Sequence, residues 1–213
     1  MNVRLWCAPQ VFLARVDDDI VMLNIDADEY GCLIGAAEWL VPADDGVIQV
    51  PDETTADELV AAGIAVREPP PIPRRAPSTA RRTLPRNEQT DWSAAVNAGL
   101  SLLTATLAFR RKTLAQLVET ALPTLAKESV SDQELSRILA AARVALPWIP
   151  MEGECLQRAY ELRWFLARQG VRTEWVFGVR TWPFAAHCWL QADDLVIADS
   201  LERVGRFTPI MVV

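Results

Sequence analysis

The sequence predicts an α+β protein in two parts, and three observations lead there. A run rich in proline and arginine over residues 69–86 divides the chain; apolar strand-like runs precede helical patterns before it; helical patterns precede strand-like runs after it. With 213 residues, 51% apolar and 23% charged, the chain can fill one large or two small packed cores.

The elements follow in order. Val3–Cys7 reads as a first strand. Val11–Val16 and residues 20–25 are apolar or β-branched runs joined by Asp17, Asp18 and Asp19, the pattern of a hairpin with a polar turn. Asp26 or Asp28 can cap a helix whose apolar face is Tyr30, Leu33, Ile34, Ala37 and Leu40, with Pro42 stopping it. Beyond a turn at Asp44, Asp45 and Gly46, Thr54 or Thr55 can cap a second helix that carries Leu59 and Val60 and ends near Gly63. Strand, strand, helix, helix is the order of a small winged-helix-like domain, so residues 1–68 are read as one. In residues 69–86, Pro69, Pro70, Pro71, Pro73, Pro77 and Pro85 remove backbone donors and disfavour helix, which predicts an extended, semi-rigid linker.

Residues 87–213 form the second domain. Helical patterns cover 92–109, 112–122 and 132–146, the last introduced by Ser131 with Glu134 three residues on, a capping box. Residues 92–109 lack charge over a length that could cross a bilayer. Ser93, Asn97, Ser101 and Thr104 nevertheless line one stripe, and Val96, Leu100, Leu103 and Leu107 another, so an amphipathic helix of a soluble bundle is expected. Cys155 begins a further helix with Ala159, Leu162 and Leu166 on its face, and Gly170 ends it. Three strands are expected at 174–180, 186–191 and 195–199, giving helices packed on an antiparallel sheet.

Composition excludes several chemistries. One histidine cannot build a catalytic zinc site of two or three imidazoles. Neither Lys112 nor Lys127, the two lysines, follows a glycine, so there is no phosphate loop. Cys7, Cys32, Cys155 and Cys188 are too irregularly spaced for a disulfide scaffold or a metal pair; with no signal-peptide pattern, a reducing cytoplasm is expected. Residues 1–68 carry 14 acidic and 3 basic side chains, net −11, and the remainder is net +4. That imbalance opposes DNA binding by the first domain.

What remains is a nucleophile set. Cysteine peptidases need a thiolate, a histidine that exchanges its proton and a group that orients the imidazole, and Cys155, His187 and Asp199 supply one of each in order. A thiol in a helix's first turn meets the positive end of the macrodipole; Glu152 and Glu154 oppose that effect. On a strand, His187 and Cys188 leave opposite faces, which argues against Cys188 as nucleophile. A two-residue turn at Asp193 and Asp194 would set Cys188 opposite Asp199 and misdirect the carboxylate. The triad therefore predicts a three-residue or bulged connection. Cys7 and Cys32 are expected in the core.

Ala141-Ala142-Arg143, Pro147, Cys155-Leu156-Gln157-Arg158-Ala159, Leu162, Leu166, Gly170, Gly178-Val179, Ala186-His187-Cys188-Trp189-Leu190, Asp199, and Phe207 with Pro209 together resemble the B-protein leader peptidases of lasso-peptide biosynthesis. Cys188 departs from that pattern, which has alanine there. Residues 1–68 resemble the precursor-recognition element of enzymes that modify ribosomally made peptides. The resemblance implies a transglutaminase-like, papain-like cysteine-protease fold fused to a recognition domain. It implies a leader peptide bound as a strand beside residues 20–25, against Val21, Leu23 and Ile25, with Leu59 on the other wall. It implies Cys155 as nucleophile, His187 as acid–base group, Asp199 as orienting group and helix-start N–H groups, including that of Cys155, as oxyanion donors. No cofactor is implied for this chain; ATP is implied only for a partner, an asparagine-synthetase-like macrolactam synthetase. Neither nucleic acid nor membrane is implied as a partner. The same triad also suits transglutaminase-type acyl transfer, and a non-catalytic peptide-presenting protein is the third alternative.

Overall fold

The computed structural model describes residues 2–71, 74–86, 89–120, 122, 130–150 and 155–213. The first part is β-rich: β1 (Val3–Cys7), β2 (Val11–Val16), β3 (Asp19–Asn24), β4 (Glu29–Leu33), a 3-10 turn (Ala36–Glu38), β5 (Val41–Pro42), β6 (Val47–Val50), α1 (Glu53–Ala61) and β7 (Ala65–Val66). The strands form two sheets, ordered β5-β6-β1-β7 and β2-β3-β4. The expected hairpin forms, with Val16 opposite Asp19 and Asp17 at φ 54 in its turn.

The helix expected over Tyr30 to Leu40 does not form, and with it goes the strand–strand–helix–helix order of a winged helix. Residues 29–33 pair with β3 instead, Leu33 opposite Ile20. Gly31 is a weak helix former, and Gly35 at φ 68 turns the chain, its N–H held by the Asp19 carboxylate at 2.9 Å. α1 is capped by Asp52, whose side chain accepts from Thr55 N, rather than by Thr54 or Thr55.

After the proline-rich run come β8 (Arg82–Thr83), α2 (Trp92–Phe109), α3 (Leu114–Glu119), α4 (Asp132–Ala145), a 3-10 turn (Leu146–Trp148), α5 (Cys155–Arg168), β9 (Glu174–Arg180), β10 (Ala185–Ala192), β11 (Leu195–Ile197), α6 (Leu201–Val204) and β12 (Thr208–Val212). The sheet runs β12-β9-β10-β11-β8. β12 was not among the expected strands; Pro209 and the irregularity between Pro209 and Met211 mask its alternation. Ser131 caps α4 by accepting from Glu134 N, as expected.

The proline-rich run is a strap rather than a spacer. Arg74 donates to the carbonyls of Val11, Ala8 and Pro9 and lies 4.0 Å over the Phe12 ring. Ser78 O accepts from Gln191, Arg75 pairs with Glu174, and β8 pairs parallel to β11 while Arg82 bridges Asp132 and Asp194. Both parts also share a core: Ala14, Val16, Val21 and Leu23 pack with residues of α2, α4, α5 and the five-stranded sheet. A second core, with Leu5, Ile20, Leu40, Ile48 and Leu59, belongs to the first part alone.

α2 faces the opposite way from the expected one. By length and composition it is a helix that could cross a membrane, yet one face packs on α4 and α5 through Ala95, Ala98, Leu102 and Ala105, with Ser101 and Thr106 buried beside them. The larger stripe of Val96, Leu100, Leu103 and Leu107 is exposed, as are Trp92, Val144 and Trp148. Small side chains win the interior because they let helices approach closely; a Cβ on Gly99 would lie 3.8 Å from that of Ala145. Ala98→Leu is therefore expected to destabilise the fold by about 1–3 kcal/mol through overpacking, and Leu100→Ser by no more than about 0.5 kcal/mol. Chemical denaturation of the two variants checks this, and the reverse ranking would contradict the packing.

Candidate active site

Cys155 is the first residue of α5, and Ala159, Leu162 and Leu166 bury the same face of that helix, which seats its N-terminus against the sheet. Gly170, at φ 80, closes it. Gln157 donates to Pro150 O at 3.2 Å and to Glu161 Oε1 at 2.7 Å, and Thr106 donates to the same oxygen at 2.7 Å. This buried network joins α2 to the first turn of α5 and steadies the position of the thiol.

His187 lies on β10. Its Nε2 is 2.6 Å from Asp199 Oδ2, and Asp199 Oδ1 accepts from Ser200 N at 2.8 Å. With Nε2 engaged, Nδ1 is the nitrogen left for Cys155, whose sulfur favours the protonated imidazole. The ring stacks with Trp189 at 6.0 Å and tilts against Phe207 at 5.2 Å. Both clamp residues depend on Gly178, which pairs with His187 and Pro209: a Cβ there would stand 2.8 Å from the Trp189 ring and 2.9 Å from Phe207 Cβ.

The connection that aims Asp199 is not the expected three-residue or bulged loop. β10 and β11 pair Ala192 with Leu195 and Leu190 with Ile197 across a two-residue turn at Asp193 and Asp194, the register that would misdirect the carboxylate. β11 stops at Ile197, and Ala198 adopts φ 58. That left-handed residue breaks the strand alternation after the hairpin and carries Asp199 to His187. The inversion that a bulge would have supplied before β11 is supplied after it.

Cys188 also acts on Cys155: its side chain and N–H favour the Cys155 thiolate, although His187 and Cys188 are successive residues on a strand. Bonds from Cys188 first, then from His187, outweigh partial burial and hold the Cys155 thiol down to about 4. His187 is raised to about 9, by Asp199 first and then Cys155. The Cys188 thiol is pushed up by its bond to Cys155 and by burial, so it stays a donor. Burial would raise Asp199, but the His187 bond, the Ser200 N–H and nearby cations together lower it. Between about pH 4 and 9 the site thus holds a thiolate, an imidazolium and a carboxylate.

The first part of the chain reaches this centre. Tyr30 of β4 packs at 5.6 Å on Phe184, from the β9–β10 loop, and its phenol is pushed up to about 12 by burial, with Cys188 and Cys155 adding. Trp182 Nε1 of the same loop donates to Asp19 at 2.9 Å.

The structure brings together Cys155, His187 and Asp199 but not the four residues expected to bind a leader. β3 is the middle strand of its sheet, with β2 and β4 on its two edges, so no added strand fits beside it. Val21 and Leu23 are fully buried, Ile25 packs at the shared core, and Leu59 belongs to the other core. Cys7 is buried as expected, whereas Cys32 is exposed. Glu152 and Glu154, expected to oppose the thiolate, lie outside the described residues. Cys188, Gly178, Trp189, Phe207 and Tyr30 gain their roles only through contacts distant in sequence; all but Tyr30 fall within the motifs that carry the resemblance, which attached no such role to them.

A family model described as transglutaminase-like superfamily matches residues 99–212, the span that holds Cys155, His187 and Asp199. No curated protein and no solved structure matches the chain.

Two predictions follow from the geometry. Peptide-resolved mass spectrometry of iodoacetamide labelling is expected to show Cys155 reactivity titrating near pH 4 and changing again near 9, when the imidazolium loses its proton. In His187→Gln the first titration moves up toward that of an ordinary thiol. Gly178→Ala is expected to cost about 1–3 kcal/mol by denaturation and to shift the labelling profile as His187 loses its clamp; an unchanged profile would show that the clamp does not set the imidazole.

Proposed function

The chain belongs to the transglutaminase-like superfamily, and from that premise we propose that it is a cysteine peptidase that binds the leader of a ribosomally made lasso precursor and cuts it from the core peptide. One observation carries the reading: the His187 imidazole is hydrogen-bonded to the Asp199 carboxylate and, with Cys188, draws the Cys155 thiol down to the thiolate, a set charged for nucleophilic attack.

In this reading the thiolate attacks the carbonyl carbon at the leader–core junction. The imidazolium gives its Nδ1 proton to the departing amine, leaving a thioester on Cys155 and a free core N-terminus. Neutral His187 then takes a proton from water, whose oxygen displaces the thiolate and releases the leader carboxylate. Asp199 holds the ring so that the same nitrogen serves both steps. Backbone N–H groups at the start of α5, that of Cys155 among them, are the oxyanion donors in the scheme.

The leader's course differs from the one beside β3. Among the described residues β4 pairs with β3 alone, and its Tyr30 packs on Phe184 in the loop that leads into β10, the strand of His187. An extended leader added along β4 would gain backbone bonds and be delivered toward Cys155. The released core, with its free amine, suits an ATP-dependent macrolactam synthetase as the next enzyme, and the setting is cytoplasmic. Water and an amine are rival acceptors at the thioester, and the same experiment separates them.

Incubation of the protein with its precursor peptide and the synthetase, followed by mass spectrometry, is expected to give leader acid and core with wild type. Cys155→Ala is expected to lower that rate by at least about a thousandfold. A new amide in place of leader acid would identify an acyl transferase, and cleavage by Cys155→Ala at the wild-type rate would remove Cys155 from the mechanism.

A further inference from the structure

A cleft of about 600 Å³ opens beside the triad, bounded by the strap, α4 with its 3-10 extension, and α5. Asp199 and Ala198 stand at one end; Leu139, Leu146 and Leu162 supply apolar surface; and Arg86, Arg143 and Arg158 line it. Among the described residues that line it, Asp199 is the one acidic group, and both its oxygens are engaged, by His187 and by Ser200 N. Arg158 is exposed and makes no hydrogen bond or ion pair among the described residues.

Position relates the cleft to the reaction. Arg158 and Leu162 follow Cys155 on α5 by three and seven residues, so they stand about 5 and 10 Å along the helix from the nucleophile. An extended peptide advances about 3.3 Å per residue, so a side chain two or three residues from the scissile bond can enter. A planar guanidinium above an apolar floor suits a carboxylate on a short aliphatic stem.

We propose that this cleft is a substrate subsite that selects an acidic side chain, aspartate or glutamate, two or three residues from the scissile bond, with Arg158 as its principal ligand. The assignment rests on the peptidase reading, which makes the ligand a peptide. The strap is then part of the substrate site, since Thr83, Leu84 and Arg86 form one wall.

The test measures binding of fluorescein-labelled peptide pools, identical except for a fixed Asp or a fixed Asn at one position, to the Cys155→Ala protein by anisotropy. The Asp pool is expected to bind about tenfold more tightly, as a charge-assisted bond allows, and the advantage is expected to shrink with added salt. Adding Arg158→Gln is expected to abolish the Asp/Asn ratio, Arg158→Lys to keep part of it, and Arg67→Gln, on the far-removed α1 ion pair, to leave it unchanged. Equal binding of the two pools, absence of binding by either, or a ratio that survives Arg158→Gln would overturn the proposal. Parallel cleavage assays with wild type separate the two readings: cleavage without acidic preference sinks the subsite alone, whereas acidic preference without cleavage sinks the peptidase.

Discussion

The Cys155 sulfur rests against β10, where the imidazole of His187 and both the thiol and the N–H of Cys188 reach it. A half-buried thiolate would ordinarily be costly, because burial disfavours the charged form. The two Cys188 groups and the adjacent imidazolium reverse that balance, and each acts only while the first turn of α5 stays seated on β10. The apolar face of α5 and the bonds from Thr106 and Gln157 to Glu161 are what keep it there.

The sheet meets the same demand from the other side. His187 must present one nitrogen to a sulfur on the helix and the other to a carboxylate beyond the next strand. Gly178 makes this practicable by leaving space for Trp189 and Phe207 to hold the ring, and Ala198 by turning Asp199 out of the hairpin's register. A missing side chain on β9 and a left-handed residue after β11 thus act on the same imidazole. Backbone conformation, more than side-chain identity, does the aiming.

The first part of the chain is built into this arrangement rather than tethered to it. Its β2 and β3 complete the larger core, its β4 brings Tyr30 onto Phe184 of the β9–β10 loop, and the strap from Arg74 to Thr83 ties both parts through carbonyl, ion-pair and strand contacts. In the proposed reading, β4 would grip one segment of a substrate while Cys155 cuts another, and the shared core and strap would hold the two in one body.

Much of the molecule was legible in the residues alone. The β2–β3 hairpin, α4 with its serine cap, α5 with its glycine stop and the three consecutive strands β9 to β11 follow from periodicity and end signals acting over a few residues. The order Cys155, His187, Asp199 singles out the candidate set because so few other nucleophile–base sets exist in a chain with one histidine. Only the tertiary structure could decide which face of α2 is buried, since alanine packing against neighbouring helices overrides the hydrophobic stripe. Only it could show that residues 29–33 become a strand, that both edges of β3 are filled, that Cys188 touches the nucleophile and that Ala198 corrects the register. The division has a physical cause. Turns, caps and strand alternation are set by neighbours along the chain, whereas facing, edge occupancy and the charge on a sulfur are set by groups that meet only when the chain has folded.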